Sequence, residues 1–127
     1  MDTPSQRTRA RRYAGPVVEL ERARDDRRLR DCHARLREVV EVNRKALGGL
    51  FQSGLIYTRH GARLGRDLLL AQQHLIKVRE LLARLGELGE RPEEGGEGAL
   101  LYRQVQVLLA RTAELTARSD GVLARER

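Results

Sequence analysis

Residues 66–88 read RDLLLAQQHLIKVRELLARLGEL and carry the strongest helical pattern in the chain. Their apolar residues recur at intervals of three and four, which is the spacing of one face of an α-helix. So wide an apolar stripe predicts a helix with more than one neighbour, as in a helical bundle. The main seam, with the residues that widen it, is Leu68, Ala71, Leu75, Val78, Leu82 and Leu85, with Leu69, Ile76, Leu81 and Leu88.

A second helix is predicted upstream, where the apolar residues keep the same spacing from Leu29 to Leu50. Asn43 is the one polar residue in this seam, and a single Asn in a heptad seam can fix register and strand number in coiled coils. The alternative interpretation is that Asn43 lies at a helix edge or caps a kink. Pro16 suits a first helical position, so this helix is predicted from residue 16 to about residue 59.

Several glycines lie in and after the end of this helix, and each glycine inside a helix costs up to about 1 kcal/mol relative to alanine. We expect the helix to continue through Gly48 and Gly49, and a turn to lie between Gly61 and Gly65. The alternatives are a break at Gly48 and, for Gly61 and Gly65, a close contact between helices.

The C-terminal part of the chain predicts a loop and a third helix. Residues 86–98, GELGERPEEGGEG, are rich in Gly and Glu and predict an acidic loop. Residues 99–124 carry apolar or small residues at heptad spacing, which predicts a helix. Its expected seam is Leu101, Val105, Leu108, Thr112, Leu115, Ser119 and Val122.

The first 15 residues hold Pro4, Gly15 and a cluster of arginines, with no long apolar core of the kind that a secretory signal peptide has. We expect residues 1–15 to form a disordered basic arm and residues 16–127 to form a single helical domain. The predicted fold is all-α, either an antiparallel three-helix bundle or a helical hairpin with coiled-coil character. The predicted helices span about 16–59, 66–88 and 99–124.

The composition argues against several classes of protein. Only 3% of the residues are aromatic, which disfavours a β-sandwich or barrel. The single cysteine, Cys32, leaves no partner for an internal disulfide. No apolar run approaches the ~18 residues of a membrane span.

Catalysis requires polar groups that converge, and the sequence shows no such constellation. His33, His60 and His74 lack metal-ligand spacing, and zinc and phosphate-loop motifs are absent. We therefore expect no enzyme, no cofactor, no metal and no small-molecule substrate. Cys32 is expected to be a small core residue, with a redox or interchain-disulfide role as the alternative.

The net charge of +7 leaves nucleic acid as a candidate partner, because arginines can neutralise phosphates without reading base sequence. The alternative function is therefore a small basic nucleic-acid-associated protein. Residues 19–38 alternate in charge sign, however, as a solvated and self-paired helix does. The candidate phosphate contacts are Arg7, Arg9, Arg11 and Arg12 of the arm, and Arg59, Arg63 and Arg66, which form one basic face if they are helical.

Residues 36–55, LREVVEVNRKALGGLFQSGL, resemble the last helix of flagellar and type III export chaperones, in which leucine-rich turns surround an Asn. In those chaperones the helix stands near the end of the chain, whereas residues 56–127 follow it here. The resemblance implies a secretion-chaperone role as one form of helix-mediated binding, and it assigns no role to any single residue.

Residues 46–58 and 66–88 offer more apolar area than one helix-packing seam can bury. Such surplus apolar area favours association with another helix. We predict a cytoplasmic, non-enzymatic interaction module (an adaptor, complex subunit or chaperone) that acts through apolar helix faces. Its partner is expected to be itself, another helical protein, or both. The predicted interface residues are Leu36, Val40, Asn43, Leu47, Leu50, Phe51, Leu75, Val78 and Leu82.

Overall fold

The computed structural model describes residues 4–88 and 96–126, with side chains described from residue 19 onward in these ranges except that of Glu21. Three helices follow one another along the chain: α1 (Pro4–Gln52), α2 (Arg59–Leu88) and α3 (Gly96–Glu126). A single 3-10 turn, Leu55–Tyr57, lies between α1 and α2. The described residues are nearly all helical and include no strand, which confirms the predicted all-helical class.

Helix α1 begins earlier than predicted. It starts at Pro4, so the backbone of residues 4–15 is helical, and residues 1–3 of the expected disordered arm lie outside the described part of the chain. Proline suits the first position of a helix, and Arg, Ala and Gln in this segment have high helix propensity. The start predicted at Pro16 is therefore corrected to Pro4. The helix continues without a break through Gly48 and Gly49, as expected.

The turn between α1 and α2 lies at residues 53–58, whereas the sequence predicted it between Gly61 and Gly65. Gly54 follows α1 with a φ of 76°, a left-handed conformation that glycine adopts at little steric cost. Thr58 then caps α2, because its Oγ1 accepts a hydrogen bond from the Gly61 amide at 2.9 Å. The prediction placed the turn wrongly because Gly54 and Thr58, rather than the later glycines, separate the helices.

Gly61 and Gly65 are buried in the first turns of α2, where they allow the 3-10 turn to pack closely against the helix. A Cβ atom at Gly61 would collide with the backbone carbonyl group of Leu55. A Cβ atom at Gly65 would lie 2.6 Å from Cδ1 of Ile56. The close contact that was the alternative interpretation of these glycines is therefore the one that the structure contains.

Two apolar clusters form the core, and each draws residues from all three helices. The smaller cluster, toward the α1–α2 turn, consists of Ala46, Leu50, Leu64, Leu68 and Leu123. The larger cluster consists of Leu36, Val39, Leu75, Val78, Leu81, Leu82, Leu85, Leu101, Val105 and Leu109. Along each helix, the buried residues between the two clusters are small or polar. We call them the polar layer: Asn43, Ala71, Thr112, Thr116 and Ser119.

The buried face of α3 differs from the predicted seam at three positions. The structure buries Leu109, Thr116 and Leu123, whereas the prediction had Leu108, Leu115 and Val122, which are half-buried beside that face. The prediction was wrong at these positions because it kept a strict heptad spacing, whereas the buried face steps by four residues from Val105 to Leu109, since a straight α-helix with 3.6 residues per turn drifts relative to a heptad. Within the polar layer, the buried positions of α3 are occupied by small side chains that carry a hydroxyl group.

Helices α2 and α3 run antiparallel, and polar side-chain contacts join them near both ends. Arg84 Nη2 lies 2.9 Å from Glu97 Oε1, where α2 ends and α3 begins. His60 Nε2 lies 2.7 Å from Glu126 Oε1 at the opposite ends of the two helices. The loop predicted over 86–98 is corrected at both ends, because α2 includes residues 86–88 and α3 includes residues 96–98; residues 89–95 lie outside the described part of the chain.

Candidate functional site

The predicted interface residues fall into two groups in the structure. Three of them lie at the surface of α1: Val40 and Phe51 are exposed, and Leu47 is half-buried. The other six pack within the chain itself, and this assigns them to its core. These six are Leu36, Asn43, Leu50, Leu75, Val78 and Leu82.

An apolar groove runs between α1 and α2. Val40, Leu47 and Phe51 follow one another at intervals of seven and four, so they share one side of α1. On α2, Ile76 lines the groove opposite Val40 and Leu47 and is 53% exposed. Helical spacing places Leu69, which is seven residues before Ile76 and 50% exposed, and Phe51 on the same two edges, beyond the lined part of the groove. We call these five side chains the α1–α2 groove. The sequence interpretation placed Leu69 and Ile76 in a wide core stripe, and their spacing of seven was the available signal that they share one edge of it.

The floor of the α1–α2 groove consists of core residues, among them Leu36, Asn43 and Leu75, and the depression encloses about 250 Å³. This volume is below the ~300–1,000 Å³ of typical small-molecule sites. The wall from Val40 to Phe51 extends over roughly 17 Å at the helical rise of about 1.5 Å per residue. A long and shallow apolar groove of this kind accommodates the side chains of a helix better than a compact ligand.

The charged residues that line the groove are both arginines, Arg44 on α1 and Arg79 on α2. Arg44 donates two hydrogen bonds to the Glu41 carboxylate, at 3.2 Å from Nε and 2.8 Å from Nη2. These bonds lower the pKa of Glu41. Arg79 forms no ion pair with any carboxylate in the described ranges. Of the two arginines at the rim of the groove, Arg44 is therefore paired with Glu41, whereas Arg79 has no ion-pair partner among the described residues.

Asn43 lies in the core beneath the groove, with only 2% of its surface exposed. Its Nδ2 donates a hydrogen bond of 3.1 Å to the Leu68 carbonyl oxygen of α2, whereas its Oδ1 has no hydrogen-bond partner. A helix-edge or capping position is therefore wrong for this residue. Its predicted role in setting register stays a prediction, now with a bond between α1 and α2 as its physical basis.

The candidate nucleic-acid contacts are only partly visible in the described structure. Arg59, Arg63 and Arg66 are exposed on the first two turns of α2, where their spacing of four and three gives them a common face. The side chains of Arg7, Arg9, Arg11 and Arg12 lie outside the described residues.

Two ionisable side chains, Cys32 of α1 and Tyr102 of α3, lie next to each other where these helices meet. Cys32 is half-buried and hydrogen-bonds with Tyr102. Burial raises the pKa of the Cys32 thiol, the hydrogen bond from Tyr102 lowers it, and the charge of Asp31 raises it. The pKa of Tyr102 is also raised, chiefly by burial. A raised thiol pKa is the reverse of what a nucleophilic cysteine requires.

Two further kinds of functional feature are absent from residues 4–88 and 96–126. Within them, no cluster of three or more His, Cys, Asp or Glu side chains could hold a metal ion. Nor does any helix there combine the length and the apolar character needed to cross a bilayer.

No protein-family model matches the chain, and no curated protein or solved structure shows significant similarity to it.

Proposed function

We propose that the protein is a non-enzymatic, cytoplasmic interaction module whose α1–α2 groove binds an amphipathic helix of a partner protein. The observation that supports this proposal is the exposure of four large apolar side chains along the groove. Val40 is 42%, Phe51 59%, Leu69 50% and Ile76 53% exposed. Contiguous apolar surface with a polar rim is typical of interaction sites on otherwise soluble domains.

The size of the groove favours one docked helix over a second copy of the chain. These side chains together present on the order of 350 Å² of apolar surface, which is the size of a functional patch on a monomer. A stable dimer interface buries about 800 Å² on each partner. A helix of about three turns spans the ~17 Å from Val40 to Phe51 and matches this smaller area.

The charge of the groove favours an acidic partner helix. A two-fold dimer through this face would bring Arg44 and Arg79 of one copy close to the same residues of the other, within chains that each carry a net charge of +7. Glutamates that flank the apolar stripe of a partner helix would instead pair with these arginines. Such pairs improve the association rate and the choice of partner more than the affinity itself.

This function also gives a reason for the arrangement of the helices. In the proposed arrangement α1, α2 and α3 form an antiparallel three-helix bundle with coiled-coil character, and the partner helix packs along α1 and α2 as a fourth helix. The Asn43 bond to the Leu68 carbonyl holds the register of the two helices that form the groove. An adaptor, a complex subunit and a chaperone would all use such a site.

The test uses a fluorescein-labelled 18-residue peptide with Leu at positions i, i+3, i+4 and i+7 and Glu on both flanks of this stripe. We expect saturable binding in fluorescence anisotropy. The double variant Val40→Glu/Ile76→Glu should weaken binding by about tenfold or more, because it places charge on both walls of the groove. Both residues are exposed, so the variant should keep the circular dichroism spectrum of the parent.

The matched control is Leu100→Glu/Val107→Glu, which alters two equally exposed apolar residues on α3. It should bind the peptide as the parent does. Failure of the parent to bind, or an equal loss in both variants, would refute the proposal. Light scattering on the protein alone should give a monomer, and a dimer that Val40→Glu/Ile76→Glu dissociates would show that a second copy occupies the groove instead.

A further inference from the structure

A row of basic side chains extends along the outer face of α2 and α3, away from the α1–α2 groove. The contacts Arg84–Glu97 and His60–Glu126 show the antiparallel register of these helices at both ends. In this register the exposed Arg66 of α2 lies level with Arg118 of α3. Arginines near the start of α2 therefore share one surface with arginines of α3 that the sequence alone did not connect to them.

The same surface continues toward the other end of the two helices. Lys77 of α2 lines a shallow groove together with Arg103 and Arg111 of α3, and every charged residue that lines this groove is basic. Arg111 and Arg118 are seven residues apart and so lie on one side of α3. We call the following seven residues the α2–α3 basic face: Arg59, Arg63, Arg66, Lys77, Arg103, Arg111 and Arg118.

The charges of this face are not compensated within the described part of the chain. None of its seven residues lies within ion-pair distance of a carboxylate there. Asp67 lies one turn after Arg63 on the same side of α2, where the seven cations outnumber it, and helical periodicity places Glu80 and Glu114 at the edges of the face. Glu126, near Arg59 in the register, is engaged by His60 at 2.7 Å. The basic charge is therefore free to attract an external anion.

We propose that the α2–α3 basic face binds the phosphate backbone of a nucleic-acid duplex, independently of the helix-binding groove. From Arg59 to Lys77 the face extends over roughly 27 Å at the rise of an α-helix. A duplex presents about one phosphate charge per 1.7 Å of its axis with both strands counted, so that length carries roughly 16 charges, about eight on each strand. Guanidinium groups suit phosphate because their donors match its oxygens in pairs.

A lipid surface fits this face less well than a duplex. Exposed apolar residues on it include Leu70, seven residues from both Arg63 and Lys77 on α2, and Leu100 and Val107 toward the start of α3. The other end, which carries Arg59, Arg63 and Arg66, offers exposed arginines instead. Binding to an anionic membrane draws on apolar insertion as well as on charge, whereas a phosphate backbone requires charge along the whole length.

The experiment measures the anisotropy of a labelled 24-base-pair DNA duplex, and of an RNA duplex of the same sequence, against protein at a series of salt concentrations. If all seven cations contact phosphates, the logarithm of the binding constant should fall with the logarithm of salt concentration with a slope near −6. The triple variant Arg66→Ala/Arg111→Ala/Arg118→Ala should reduce this slope by about 3 and weaken binding at low salt by about tenfold or more. Binding of either duplex in this way supports the proposal.

The matched control removes three exposed arginines of α1, Arg24→Ala/Arg27→Ala/Arg30→Ala, and so changes the net charge by the same amount. It should leave the slope unchanged. An equal effect in both triple variants would show that only net charge matters and would overturn the proposal. So would the absence of salt-dependent binding, or binding to phosphatidylserine vesicles without binding to either duplex. Because both triple variants replace exposed helical residues with alanine, both should fold, which circular dichroism can verify.

Discussion

Two threonines of α3 differ in how well the core satisfies their hydroxyl groups. Thr112 Oγ1 donates a hydrogen bond of 2.6 Å to the Leu108 carbonyl oxygen of its own helix. Thr116 is 1% exposed, and its Oγ1 has no hydrogen-bond partner. A buried polar group without a partner costs about 1–3 kcal/mol. The buried hydroxyl of Thr116 therefore lowers the free energy of unfolding of the protein more than the hydroxyl of Thr112 does.

The substitution Thr116→Val should raise the free energy of unfolding by about 1 kcal/mol, because it removes the unpartnered hydroxyl and keeps the shape and helix propensity of the side chain. Urea denaturation followed by circular dichroism measures the change. Thr112→Val is the matched control and should be close to neutral, since the Leu108 carbonyl keeps its bond within the helix. A loss of stability in Thr116→Val would mean that its hydroxyl has a partner, such as an internal water molecule.

Cys32 permits a prediction about pH. The hydrogen bond from Tyr102 lowers the pKa of the thiol, so Tyr102→Phe should raise this pKa further above its ordinary value. Only the thiolate reacts with iodoacetamide. At pH 8 we therefore expect Cys32 to react more slowly in Tyr102→Phe than in the parent, with the rate profile displaced to higher pH. The difference should vanish in denaturant, and a faster reaction in folded Tyr102→Phe would contradict this assignment.

The turn between α1 and α2 depends on glycine in two distinct ways. Gly54 supplies a positive φ, whereas Gly61 supplies space for the Leu55 carbonyl group. Gly48, about one turn before the end of α1, does neither, because a Cβ atom there would meet nothing within 4 Å. The glycines of this segment therefore have different structural roles.

Gly61→Ala should destabilise the protein by about 2 kcal/mol or more, because the new methyl group forces the backbone of the turn away from α2. Gly48→Ala should instead stabilise it by up to about 1 kcal/mol through helix propensity. Thermal unfolding of both variants checks the pair. Equal effects of the two substitutions would contradict the close packing of the 3-10 turn on α2.

At the level of the helices, the sequence correctly predicted the features that follow from the spacing of hydrophobic residues along a single helix. The core stripe of residues 66–88 was predicted because its hydrophobic spacing is regular. The turn was misplaced because the sequence does not tell a glycine that ends a helix from one that permits close packing. The seam of α3 was misassigned at Thr116 for a related reason: a small hydroxyl residue becomes a core residue only when two other helices approach it.

At the level of the whole molecule, the sequence indicated a surplus of apolar surface but not its location. Leu69 and Ile76 belong to the same stripe as Leu68 and Leu75, and periodicity alone does not show which edge stays uncovered. The structure exposes the edge that faces Val40 and leaves Leu50 fully buried. Charge substitutions at Leu50 would therefore unfold the protein, whereas those at Val40 and Ile76 test the groove.

The most direct test of the helix-docking groove is a map of the amide chemical shifts of the ¹⁵N-labelled protein during titration with the Leu/Glu peptide. We expect the shifts to change along 40–51 of α1 and 69–79 of α2, and to remain constant for the outer residues of α3 around Val107. Changes centred on the α2–α3 basic face, or no saturable changes at all, would contradict the account.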